Sequence, residues 1–153
     1  MIIIILKRDN TMIWINRLFL FAMFLVYLPI GIWAILDPVF GALEMDLPSF
    51  LEAVGLNIAS EIGYSEIAGL YGGLNLCLGV GCLIGIFKKS IGIFFIKFVI
   101  FLVGSIALGR VLFSLLPTTP SFYNAFFIFE ICTFVIGILI LYFNKRLESV
   151  TKY

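Results

Sequence analysis

The sequence predicts an all-α integral membrane protein, a four-helix bundle with both termini cytoplasmic. Three observations carry that expectation. The 153-residue chain is 63% hydrophobic and only 12% charged, where a soluble domain has about 25% charged residues. Its apolar residues fall in four long runs without alternation, which excludes the strands of a membrane barrel. Its Lys and Arg residues gather at one set of run ends. A surface so poor in charge suits acyl chains, provided that backbone polar groups are paired inside helices.

A hydrocarbon layer about 30 Å thick takes about 20 helical residues. The first run of that length is residues 17–36, "RLFLFAMFLVYLPIGIWAIL". Pro29 removes a backbone donor and Gly31 follows closely, so a local kink is expected. The residues before Met12, "MIIIILKRDNT", hold an apolar run too short to span, followed by charge. Residues 1–11 are expected to be disordered or to precede a native start at Met12. The other spans are expected at residues 67–87, 91–116 and 122–143. In the connection after the first span, "DLPSFLEAVGLNIASEIG" places Phe50, Leu51, Val54 and Ile58 at helical spacing behind Pro48. That pattern predicts a short amphipathic helix capping the bundle.

Charge sets the expected orientation. Lys7, Arg8 and Arg17 precede the first span, Lys88 and Lys89 separate the second and third, and Lys145, Arg146 and Lys152 follow the fourth. The connection from Asp37 to Glu66 has no Lys or Arg and six acids. Cytoplasmic loops carry the Lys and Arg excess, so both termini are expected inside and the acidic connection outside.

The second span opens "EIAGLYGGLNLCLGVG". Helices in lipid associate through close packing, which small residues permit. Gly69 and Gly73, Gly81 and Gly85, and Ser105 and Gly109 are each four apart, with Gly72 in the same stretch. These are expected packing positions. Gly72 and Gly73 also leave room for a ligand or a broken helical turn.

Histidine is absent, which removes His-ligated metal sites and the commonest general base near neutral pH. Cys77, Cys82 and Cys132 lie in apolar runs and are expected to be small buried hydrophobes. No metal site or cofactor is expected. The Lys and Arg residues are scattered at run ends, which gives no nucleic-acid footprint, and "YGGLNLCLGVG" is not a dinucleotide fingerprint.

Ionisable residues inside a span are costly and point to a role. Lys97 is near enough to a span end for its stem to snorkel. Arg110 and Glu130 lie roughly 9 Å and 12 Å from the outer boundary, counting about 1.5 Å per residue. They sit on spans joined by a short connection, so they can pair. Asp37, Glu66 and Tyr71 lie near the outer ends of the first two spans. Arg110, Glu130, Tyr71, Glu66 and Asp37 therefore form a candidate outer polar layer. It reads either as a register lock between two helices or as a site for an anionic or carbonyl-bearing ligand.

"GIWAILDP" (31–38), "EIAGLYGGLNLCLG" (66–79), Gly109 with Arg110, and Glu130 together resemble the domain of unknown function 4345 family. These are small bacterial four-helix membrane proteins, distantly similar to DoxX-type proteins. The resemblance spans residues 12–141. Ala68 stands where the family pattern has an Arg. The resemblance implies a four-helix fold in the bacterial inner membrane and no established activity.

The function expected from these features is that of a non-enzymatic accessory protein or small hydrophobic-ligand-binding bundle. The alternative is a small membrane enzyme or redox accessory protein acting on a quinone or lipid. The expected partners are the lipid bilayer, a lipid or quinone-like molecule, and a membrane protein or second copy. A transporter is less favoured, since neither an inverted repeat nor a ring of charge is evident.

Overall fold

The computed structural model describes residues 2–42, 48–58, 60–115 and 124–151. Among the described residues every regular element is helical. The order is α1 (Ile2–Ala42), α2 (Phe50–Val54), α3 (Glu61–Ile67), a π-helical turn (Ala68–Gly73), α4 (Leu74–Phe87), α5 (Lys89–Ser114) and α6 (Ala125–Thr151). Four stretches are long and apolar enough to cross a membrane: Asn10–Val39, Ile62–Phe87, Lys89–Ser114 and Ala125–Leu147. The shortest has 23 residues and reaches roughly 35 Å at about 1.5 Å per residue. This is the architecture of a multi-pass membrane protein.

The first span runs past its expected end at Leu36, and α1 continues through both Pro29 and Pro38. A membrane helix tolerates proline where neighbours re-satisfy the freed backbone groups. The loop helix stops earlier than expected. It ends at Val54, short of Ile58, because Gly55 takes the left-handed conformation with φ 71°. Its N–H donates to the Glu52 carbonyl and the Leu56 N–H to the Leu51 carbonyl, which closes the helix end. At the start of α6, Asn124 Oδ1 accepts the Phe127 N–H at 3.0 Å, satisfying one of the unpaired donors of the first turn. The expected start of the fourth span at Phe122, the end of the third at Leu116 and the connection 117–121 lie outside the described residues.

The chain forms two compact units, one of Met1–Leu20 with Gly85–Tyr153 and the other of Phe21–Ile84. In the first, Ile96, Val99, Val103 and Ala107 line one face of α5 and are buried, as their spacing of three and four residues requires. Gly104 of α5 lies under the Phe134 ring of α6, where a Cβ would meet Phe134 Cε2 at 2.6 Å. Gly137 of α6 faces Ile100 in the same way.

In the second unit, α1 and α4 approach backbone to backbone. A Cβ on Gly31 would lie 2.5 Å from the Leu76 nitrogen, and one on Gly79 would lie 2.7 Å from the Leu28 nitrogen. Only glycine permits that approach. The second span starts with the π-helical turn, in which the Leu74 N–H reaches back five residues to the Gly69 carbonyl. "AGLYGG" is the glycine-rich stretch of this span, and such turns occur mostly singly inside helices, often at functional sites.

The small residues differ in what surrounds them. A Cβ on Gly72 would clash with Ile35, and one on Gly85 would meet the Gly92 backbone at 2.8 Å. Gly81 is buried and Ser105 exposed. Gly73 has only the Ala68 carbonyl within reach, and Gly69 and Gly109 have nothing within 4 Å. Of the cysteines, Cys82 is buried, but Cys77 and Cys132 are exposed, correcting the expectation that all three are buried. Cys77 and Cys82 are five residues apart, about 140° around a helix at 3.6 residues per turn, so one packed face does not hold both.

These surroundings predict opposite outcomes at two glycines. Gly79→Ala puts a methyl against backbone and should cost about 1–3 kcal/mol. Gly109→Ala fills open space in α5 and should gain about 0.5–1 kcal/mol from helix propensity alone. Unfolding of the two variants in mild detergent reads both signs.

Candidate functional site

Hydrocarbon offers no water to a charge, so an in-span Arg needs an acceptor from the chain itself. Arg110 of α5 and Glu130 of α6 meet in the first unit. Nε donates to Oε2 at 3.0 Å and Nη2 donates to Oε1 at 3.1 Å. This is a two-pronged contact between guanidinium and carboxylate, which fixes orientation as well as charge. The Glu130 side chain is 9% exposed and that of Arg110 33%. The carboxylate is therefore enclosed, while the guanidinium keeps an open edge. Lys97, further along α5, is exposed and has no bonded partner among the described residues.

Asp37, Tyr71 and Glu66 belong to the second unit. Asp37 Oδ1 accepts the Phe50 N–H at 2.6 Å, and Oδ2 accepts the Ser49 hydroxyl at 3.3 Å. Its carboxylate thus ties the start of α2 to α1. Trp33 reinforces the tie by donating from Nε1 to the Pro48 carbonyl at 3.0 Å. Phe50 is 2% exposed and lies edge-on between Trp33 at 5.5 Å and Tyr71 at 5.6 Å, measured between ring centroids. Tyr71 sits in the π-helical turn, and its carbonyl accepts from the Asn75 side chain. Glu66 is exposed and has no bonded partner among the described residues.

The five expected residues therefore form two local arrangements and one exposed acid. Arg110 with Glu130 is a closed ion pair. Asp37 and Tyr71 both converge on Phe50 and serve to seat α2. Among the described residues, no group of three or more Cys, Asp or Glu is placed to hold a metal ion.

Sequence reasoning did not anticipate a second polar contact in the first unit. The side-chain amides of Asn16 in α1 and Asn144 in α6 bond reciprocally. Asn16 Nδ2 donates to Asn144 Oδ1 at 3.1 Å, and Asn144 Nδ2 donates to Asn16 Oδ1 at 2.9 Å. Asn144 also donates to the Ile140 carbonyl of its own helix. Asn16 is buried. The available signal was an uncharged amide inside each of "IWINRLFL" and "LYFNKR", since such groups bridge helices in lipid.

No protein-family model, no curated protein and no solved structure matches the chain. The function therefore rests on the geometry of the chain itself.

The amide pair makes a stability prediction. Asn144→Ala should cost about 0.6–2 kcal/mol, the range for interhelical polar contacts in membranes. Asn16→Leu combined with Asn144→Leu should recover most of that loss, because no polar group is then left alone. Detergent-titrated unfolding of the variants measures both.

Proposed function

We propose that this chain is a non-enzymatic multi-pass membrane protein, an accessory or scaffold subunit that offers apolar helix faces to another membrane protein or a second copy. The observation that carries this reading is the closed Arg110–Glu130 pair. An acid and a base that complete one another lock two helices in register and keep the Glu130 carboxylate engaged within the chain. Exposed Phe101, Leu108, Leu112 and Leu139 on α5 and α6 supply apolar surface for lipid or for a neighbouring helix. The resemblance to the domain of unknown function 4345 family, the bacterial inner membrane and the cytoplasmic termini belong to the same proposal. Their support is the motif set and the Lys and Arg distribution described above.

A second reading is favoured by one observation, the open edge of Arg110. That edge suits the carbonyl or anionic head of a quinone- or lipid-like molecule. A small-ligand or redox accessory role would place the head there.

Native mass spectrometry of the protein, extracted gently with its own lipids, separates the two. The scaffold reading expects a polypeptide partner or second copy and no small molecule whose retention depends on Arg110. A reproducible small molecule that is lost in Arg110→Ala, while the variant stays folded, would overturn it in favour of the ligand site.

A further inference from the structure

At the opposite end of α5 from Arg110, the first unit forms a half-open cavity of about 150 Å³. A water molecule takes about 10–15 Å³ of such space, so a tetrahedral oxyanion fits. Its lining brings together Asn16, Arg17 and Lys89 over Leu20, Gly85 and Gly92. The floor exists because two glycines meet. A Cβ on Gly92 would stand 2.6 Å from the Gly85 carbonyl oxygen, so only glycine lets the two backbones close this tightly beneath the cavity.

The cavity is cationic by construction. Arg17 Nε donates to the Ile86 carbonyl at 3.1 Å, near the end of α4, where carbonyls lack helical partners. Its guanidinium carbon also lies 5.5 Å from the centre of the Trp14 ring. These contacts hold the group in place, while its two terminal nitrogens make no hydrogen bond among the described residues. Lys89 opens α5 and has no ion-pair partner among the described residues. Among the described residues no acid lines the cavity. A fixed guanidinium and an exposed ammonium with no counter-charge among the described residues favour an oxyanion.

Its place in the fold selects the source of that oxyanion. The cavity lies at the turn between two stretches that are each 26 residues long and apolar enough to span. Such a turn is at the level of lipid headgroups. Around it, Trp14 is 68% and Phe87 76% exposed. Both are large rings on apolar helices, and Trp is enriched where headgroups meet acyl chains. Basic pockets between spans receive anionic headgroups.

We propose that this cavity binds the phosphate of an anionic phospholipid, with Arg17 as the fixed donor, Lys89 as the second cation, and the acyl chains beside Trp14 and Phe87. This assigns a lipid site independent of the scaffold role and of Arg110.

The test is lipid titration of the full chain in mild detergent, read by native mass spectrometry, with phosphatidylglycerol and phosphatidylcholine of the same acyl chains. Phosphatidylglycerol should bind about fivefold tighter or more, and Lys89→Gln should remove about fivefold of its affinity, the worth of one surface cation. Arg17→Gln should reduce it to the phosphatidylcholine level and Arg17→Lys should restore part. Lys97→Gln, an exposed lysine of α5 outside the cavity, should leave it unchanged. Equal binding of the two lipids, or equal losses in Lys89→Gln and Lys97→Gln, would overturn the proposal. Because Lys89 is exposed, that comparison decides the matter even if Arg17→Gln fails to fold. Inorganic phosphate added alone should not displace the lipid. Full displacement would assign the cavity to free phosphate and overturn the lipid source.

Discussion

A polar group placed in hydrocarbon has no water to turn to, and must find its partner within the chain or at the boundary. The structure meets this demand by three different means. Arg110 and Glu130 neutralise one another across α5 and α6. Asn16 and Asn144 exchange amide hydrogen bonds between α1 and α6. Arg17, near a span end, donates its Nε–H to the Ile86 carbonyl. A buried acid or amide left alone would cost more than the pair contributes, so pairing acts mainly by forbidding other registers.

The same solvent changes what holds helices together. Lipid tails are as apolar as Leu, so burying Leu against Leu gains little, and contact has to come from fit. Gly31 and Gly79 let the backbones of α1 and α4 touch, and Gly104 and Gly137 each accept a side chain from the facing helix. The aromatic seat for α2 works differently. There Asp37 and Trp33 bond the backbone and carbonyl of the connection, and Phe50 fills the space between Trp33 and Tyr71.

The four spans were legible because about 20 apolar residues in a row have few other uses in a folded chain. The pairing of Arg110 with Glu130 was legible too, since a short connection sets two charges at similar depth. What escaped the sequence depends on which helix faces which. The spacing of Gly69 and Gly73 matches a packing motif, yet Gly69 has nothing within 4 Å. Gly31, in no such motif, makes one of the closest approaches. The exposed Cys77 and Cys132 show the same limit, since apolar context does not tell a lipid-facing side from a packed one. Asp37 could be placed near a boundary, but its role in seating α2 depends on a loop path that periodicity does not encode.

Arg110 and Glu130 act as one structural unit. A double-mutant cycle of Arg110→Met, Glu130→Leu and the combined variant, measured by unfolding in detergent, tests it most directly. Each single change should destabilise, the combined variant should regain native stability or exceed it, and the coupling should be about 1–3 kcal/mol. Additive effects, with no coupling, would contradict it and leave the two charges as separate groups serving something outside the chain.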